Sequence, residues 1–263
     1  MKLKLKHMAA ATALLASAYA NATILPTVTP VTGGELFLSV WQQGTAGFAD
    51  QSFAFDLGIQ TSQFLLNNNT SQIWATLGSS DAIWSGFLAS ADVGTLKYSV
   101  IGGSAFVPAT IFSTVTAGEE GAIAGNYSNG RVTSITTGTI NGYLGNLNST
   151  GTHLTQANGE SVNQKGSGAY YQDGDLNSFN GVGWNNGNLV GVTSEFTSYR
   201  RAPGGTSVVG IEQVMPGSVS FAKVGNDYVL SYTVAAVPEA SGSAMALAGF
   251  GIMGFVAVRR RKP

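Results

Sequence analysis

Between positions 23 and 236 apolar residues fall at alternate positions in short runs, separated by Gly, Asn, Ser and Thr. Period-two alternation bounded by turn residues is the pattern of half-buried β-strands. The clearest runs are Glu35 to Trp41, Ser52 to Ile59, Leu96 to Ile101, Ala109 to Val115, Ser207 to Val214, Ser218 to Val224 and Tyr228 to Val234. In the first, Leu36, Leu38 and Val40 form a wholly apolar face; in Val219 to Val224 apolar and polar positions interleave. Pro216-Gly217 and Gly225-Asn226-Asp227 supply turn chemistry, because Gly and Asn tolerate positive φ and Pro fixes its own. The last three runs therefore predict a three-strand meander. From Ala117 to Gly151 the texture changes. Ile123, Tyr127, Ile135, Ile140, Leu144 and Leu147 approach helical spacing, with Glu119 and Glu120 placed as an acidic first turn would be. Gly121, Gly125, Gly130, Gly138, Gly142 and Gly145 oppose a helix there, each costing about 1 kcal/mol relative to Ala, so the segment reads as one or two short helices or as loop. Thr152 to Asn188, dense in Gly, Asn, Gln and Ser, reads as a long surface excursion or a pair of irregular edge strands. The expected fold is mainly β: one antiparallel, β-sandwich-like domain over 23–236, with short helices around 118–150.

Both ends depart from this pattern. Residues 1–22 have a basic start (Lys2, Lys4, Lys6), an apolar stretch from Met8 to Ala18, and small residues at Ala18-Tyr19-Ala20 and Ala20-Asn21-Ala22. That is the pattern of a cleavable secretory signal peptide, which predicts export through the secretion machinery and cutting by signal peptidase. At the other end Val237-Pro238-Glu239-Ala240 precedes an uncharged run, 241–258, and then Arg259, Arg260, Arg261 and Lys262 before Pro263. As a helix the run would measure roughly 27 Å, close to the thickness of a hydrocarbon core. The terminal cations act as a membrane stop signal on the cytoplasmic side, which places the domain outside the inner membrane.

A Pro-Glu pair, a single span and an Arg-rich end, in that order, resemble the PEP-CTERM sorting domain over 237–263. Ala240 stands where the family's motif ends in a second Pro. The resemblance implies recognition by an exosortase-type enzyme, with Val237, Pro238 and Glu239 as the sorting and processing motif. It also implies release from the inner membrane to the cell surface or an exopolysaccharide matrix.

Charge changes the picture once the ends are set aside. Seven of the 13 basic residues lie in them, so the middle keeps six Lys/Arg against 13 Asp/Glu, a formal net charge of −7. Such a surface repels phosphate backbones and disfavours nucleic acid as a partner. With no cysteine, the domain depends on its own core, and thiolate metal sites and cysteine nucleophiles are excluded.

Candidate chemistry is sparse. Asp173, Asp175 and Asn177 place oxygen side chains at alternate positions, the start of a calcium loop; Ser178 and Trp184 break the EF-hand pattern, and a solvated Asx turn is the simpler reading. Tyr170, Tyr171 and Trp184 lie among Gln and Asn side chains, a composition suited to stacking on and hydrogen-bonding a neutral glycan. Trp41, Trp74 and Trp84 lie in or beside apolar runs and read as core. His153, the only histidine outside the first 22 residues, sits in a Gly/Asn/Thr stretch and reads as a solvated loop histidine rather than a catalytic base. Arg200-Arg201 reads as a solvated strand end. The sequence therefore predicts a non-enzymatic, exported surface or matrix protein, structural or adhesive, with no cofactor. A carbohydrate-binding module and an extracellular hydrolase using paired carboxylates are the alternatives.

Overall fold

The computed structural model describes residues 23–29, 33–106, 108–119, 127–173 and 187–235. Among them ten strands form one antiparallel sheet: β1 Glu35–Gln42, β2 Gln51–Gln60, β3 Gln72–Leu77, β4 Lys97–Ser104, β5 Thr110–Thr114, β6 Glu160–Gln164, β7 Asn188–Leu189, β8 Thr193–Arg200, β9 Ile211–Val224 and β10 Asp227–Val234. Their order across the sheet is β3-β10-β9-β8-β5-β4-β1-β2-β6, and β7 pairs with the start of β4, where β5 does not reach. The mainly β, antiparallel expectation holds. The sandwich-like arrangement takes the form of a single sheet that curls, not two stacked sheets.

Curling follows from where the apolar side chains point. One core gathers Leu36, Leu38 and Val40 of β1, Phe53 of β2, Phe112 of β5, Phe196 of β8, Phe221 of β9 and Tyr232 of β10. Residues from both ends of the strand order share this core, so the sheet wraps around it. Two helices complete the wrap: α1 (Thr61–Asn67) and α2 (Ala82–Ala89). Phe64 of α1 meets Trp74, Phe112, Phe196 and Tyr232 in four edge-to-face contacts with centroids 5.3 to 5.9 Å apart, the geometry aromatic quadrupoles favour. Trp84 of α2 packs on Phe53, Phe221 and Tyr228 and so bridges β2 to β9 and β10 across the opening of the curl.

A second core covers the outer face of β1, β4, β5 and β8. It is roofed by α3 (Asn129–Ser134), a π-helical stretch Ile135–Ile140, and α4 (Asn141–Leu147). Val132, Ile135, Ile140, Tyr143, Leu144 and Leu147 face Phe37, Trp41, Ile101, Ile111 and Tyr199. The helices expected around 118–150 are therefore present. Their start differs from the acidic turn at Glu119-Glu120: Ser128 is the cap, accepting the Arg131 N–H, and Glu120 lies outside the described residues. Gly138 and Gly145 would meet nothing if given a Cβ, so they lie on the open face and cost only backbone entropy. With a core on each side, every residue of β1 is buried.

The predicted runs near 35, 52, 96, 109 and 228 match β1, β2, β4, β5 and β10. The meander is built differently. Pro216-Gly217 is no turn but the midpoint of β9, opposite an irregularity in β8 between Glu195 and Thr197 that absorbs the proline. Gly217 fits there because a Cβ would lie 2.6 Å from Tyr232 Cζ, while its N–H donates to Tyr232 Oη at 2.8 Å. The meander is thus β8-β9-β10, and β9 and β10 join through Gly225-Asn226. Gly225 has φ +65°, and Asn226 does not share the positive φ, as a type II′ turn requires.

Among the described residues no helix is long and apolar enough to cross a membrane. The signal peptide expected at 1–22 and the span expected at 241–258 lie outside them.

Candidate functional site

The chemistry-bearing residues of the described domain fall in three places. The first is the end of β1 and β2. Two residues of β2, Leu57 and Gly58, bulge between the pairs Leu36 with Ile59 and Phe37 with Asp56, and Asp56 accepts the Gly58 N–H at 2.8 Å. Asp56 and Glu35 are buried there, 2% and 4% exposed. Burial pushes Glu35 up to about 7, with the Asp56 charge adding to it and the Leu25 N–H, 2.8 Å from Glu35 Oε2, opposing it. Burial likewise raises Asp56 to about 6. This is a pair of buried carboxylates. Its visible work is structural: Glu35 ties down the segment around Leu25, which Asn148 and Asn141 also hold through the Ile24 and Thr27 amides.

The second place is the edge strand β6. Glu160 approaches Asp81, whose Oδ1 caps α2 by accepting the Ile83 and Trp84 amides. Burial, then a hydrogen bond to Asp81 and its charge, raise Glu160 to about 7. On the other side of β6, Asn163 Nδ2 donates to Ser161 Oγ at 2.8 Å, and Ser161 Oγ lies 3.1 Å from His153 Nε2. His153 is 0% exposed, its Nδ1 has no hydrogen-bond partner, and burial depresses it to about 4. The solvated loop histidine expected from the sequence is thus corrected: the residue is buried, and Gly159 runs so close that a Cβ there would lie 2.4 Å from His153 Cα. The Ser161–His153 contact has the form of a nucleophile–base pair, and both residues are buried.

The third place is the end of β8. Arg200 and Arg201, with Pro108, Ala109, Ala202 and Pro203, line a recess of about 400 Å³.

The residues singled out in the sequence are distributed otherwise. Tyr170 and Tyr171 are 0% and 1% exposed and cannot offer a ring face to a glycan. Tyr170 Oη donates to the Gln42 carbonyl at 3.0 Å, and Tyr171 stacks on Trp41 with centroids 4.0 Å apart. Trp41, Trp74 and Trp84 are core, as expected. Asp173 accepts the Gly166 N–H, and its own N–H donates to the Tyr170 carbonyl at 2.9 Å, closing a local turn. Asp175, Asn177 and Trp184 lie outside the described residues, as do Val237 to Glu239 and Arg259 to Lys262. Among the described residues no group of three His, Asp or Glu side chains could hold a metal ion. Sequence reasoning missed Glu35 and Asp56 as a pair. The available signal was an acid inside each of two otherwise strongly apolar runs.

Comparison with known proteins decides the tail. A family profile described as the PEP-CTERM protein-sorting motif matches residues 236–262. The chain carries a PEP-CTERM sorting motif. No curated protein and no solved structure matches the chain. The PEP-CTERM motif begins one residue beyond Ala235, the last residue described, and directly after β10. That strand is fastened at its end by the Val234 N–H, which donates to Ser71 Oγ at 3.0 Å. The PEP-CTERM motif thus follows the last paired strand with no intervening linker, and it marks an exosortase-sorted surface protein.

Proposed function

We propose that this is an exported, non-catalytic protein of the cell surface or exopolysaccharide matrix, structural or adhesive in role. In this reading it needs no cofactor, its signal peptide is removed on export, and its tail is held in the inner membrane until an exosortase-type enzyme cuts at or near Pro238-Glu239. The observation that carries the reading is the sorting motif at 236–262. The burial of Glu35, Asp56, His153 and Ser161 supports the non-catalytic part, since the groups best suited to acid–base or nucleophilic work are enclosed. Mass spectrometry of the extracellular form tests it. The expected product begins near Thr23 and lacks Arg259 to Pro263. An extracellular form that retains that basic end overturns the sorting reading.

A further inference from the structure

Arg200 and Arg201 are two of only six cations in a segment that carries 13 acids. Among the described residues neither guanidinium has an ion-pair or side-chain hydrogen-bond partner, whereas Lys165 pairs with Asp50 at 3.0 Å. Arg200 is exposed and Arg201 half-buried at the recess. Both residues line the recess, and cations unmatched among the described residues favour an incoming anion there.

The recess is also fixed in shape. Asn129, fully buried, accepts the Ala202 N–H on Oδ1 at 2.8 Å and donates through Nδ2 to the Ala202 and Gly205 carbonyls, both at 2.9 Å. The Arg201 N–H donates to the Ala109 carbonyl at 2.9 Å and ties this loop to the β4-β5 connection. A site held before its ligand arrives loses little freedom on binding. Its volume lies within the ~300–1,000 Å³ typical of ligand sites.

The two kinds of wall narrow the ligand. Guanidinium groups match planar carboxylates through paired N–H donors. The side chains of Pro108, Ala202 and Pro203 offer C–H surface, which suits the apolar face of a sugar ring. The net −7 of the domain opposes any densely charged polyanion, which favours a ligand presenting one carboxylate to the pair, and a neutral sugar has no use for the two charges. We propose that the recess binds an acidic sugar: the arginine pair takes the uronate carboxylate, and the Pro/Ala wall takes the ring. This deepens the surface-protein reading and rests on it only for where the sugar is met; tail processing is measured separately by mass, so either idea can fail alone.

Isothermal titration calorimetry on the full chain in non-ionic detergent tests it, with tri-galacturonate, neutral galactotriose and hexaglutamate as ligands. Tri-galacturonate is expected to bind saturably at low salt, and galactotriose to give no heat. Binding is expected to weaken at least about ten-fold in Arg200→Gln/Arg201→Gln with the melting temperature unchanged, because the fold-bearing contacts of this loop are made by Asn129 and by backbone groups. Should the double variant melt early, the exposed Arg200→Gln alone is expected to weaken binding while keeping the parent melting temperature. No saturable heat from tri-galacturonate overturns the proposal, as does equal affinity in a folded variant. Hexaglutamate binding as tightly as tri-galacturonate also overturns it, since a peptide carboxylate would then suffice.

Discussion

At the scale of single residues, the informative groups are those whose ionisation the fold opposes. Glu35 and Glu160 stand near 7 and Asp56 near 6, all above their ordinary values, while His153 stands near 4, below its own. An acid raised on folding binds a proton in the native state that the unfolded chain has released, so it removes stability as pH climbs from its unfolded value, near 4, to its folded one. His153 acts in the other direction, removing stability as pH falls from 6.5 toward 4. Near pH 5.5 the three acids outweigh the one histidine, and folding takes up protons. The melting temperature is therefore expected to be higher at pH 5.5 than at pH 8. Glu35, almost fully buried, carries on the order of 2 kcal/mol of this difference. Glu35→Gln keeps an acceptor for the Leu25 amide while removing the charge, so it is expected to raise the melting temperature at pH 8 by several degrees and flatten the pH profile. Thermal melts from pH 5 to 8 check this, and an unchanged slope would count against the buried-pair account.

At the scale of elements, the two helices at the opening of the curl bear more than their length suggests. Phe64 is the hub of four aromatic contacts in a seven-residue helix. Phe64→Ala is expected to cost about 3–5 kcal/mol, read as a lower urea midpoint with an unchanged slope, because the neighbouring rings belong to four different strands and cannot close the gap together. Asp81 caps α2 but also faces Glu160. Asp81→Ala is expected to cost roughly 1 kcal/mol at pH 5, where Glu160 is protonated, and less at pH 8, where the same change relieves a repulsion. Urea titrations at the two pH values separate these effects. Elements were legible where one face was apolar. Strands β1, β2, β4, β5 and β10 announce themselves by Val, Ile, Leu and aromatic residues. Strands β6 (ESVNQ) and β8 (TSEFTSYR) do not, since their pairing comes from neighbours on the sheet and their buried positions include Ser161, Asn163, Ser194, Thr197 and Ser198. The short helices α1 and α2 were missed for a related reason: a run of seven or eight residues holds too few turns to show a period.

At the scale of the whole molecule, a curled sheet with its own core is joined directly to a sorting tail. Removing the tail by stopping the chain after Ala235 is expected to leave the melting temperature of the domain within about 1 °C of the processed form, since β10 is already fastened on both sides and through Val234. The same truncation is expected to abolish membrane retention, checked by fractionation; a truncated chain that still fractionates with membranes would show that something other than the tail holds it there. The sequence by itself determined the mainly β class, five of the strands, the acidic cysteine-free character of the domain and the identity of the tail, because each of these is written in local composition, period or contiguous motif. Only the tertiary structure decided that β9 runs through Pro216-Gly217, that Tyr170 and Tyr171 turn inward, that Glu35, Asp56 and His153 are buried, and that two arginines share a recess with Pro108 from another loop. Those outcomes depend on which strands become neighbours, and neighbours distant in the chain leave no periodic trace along it.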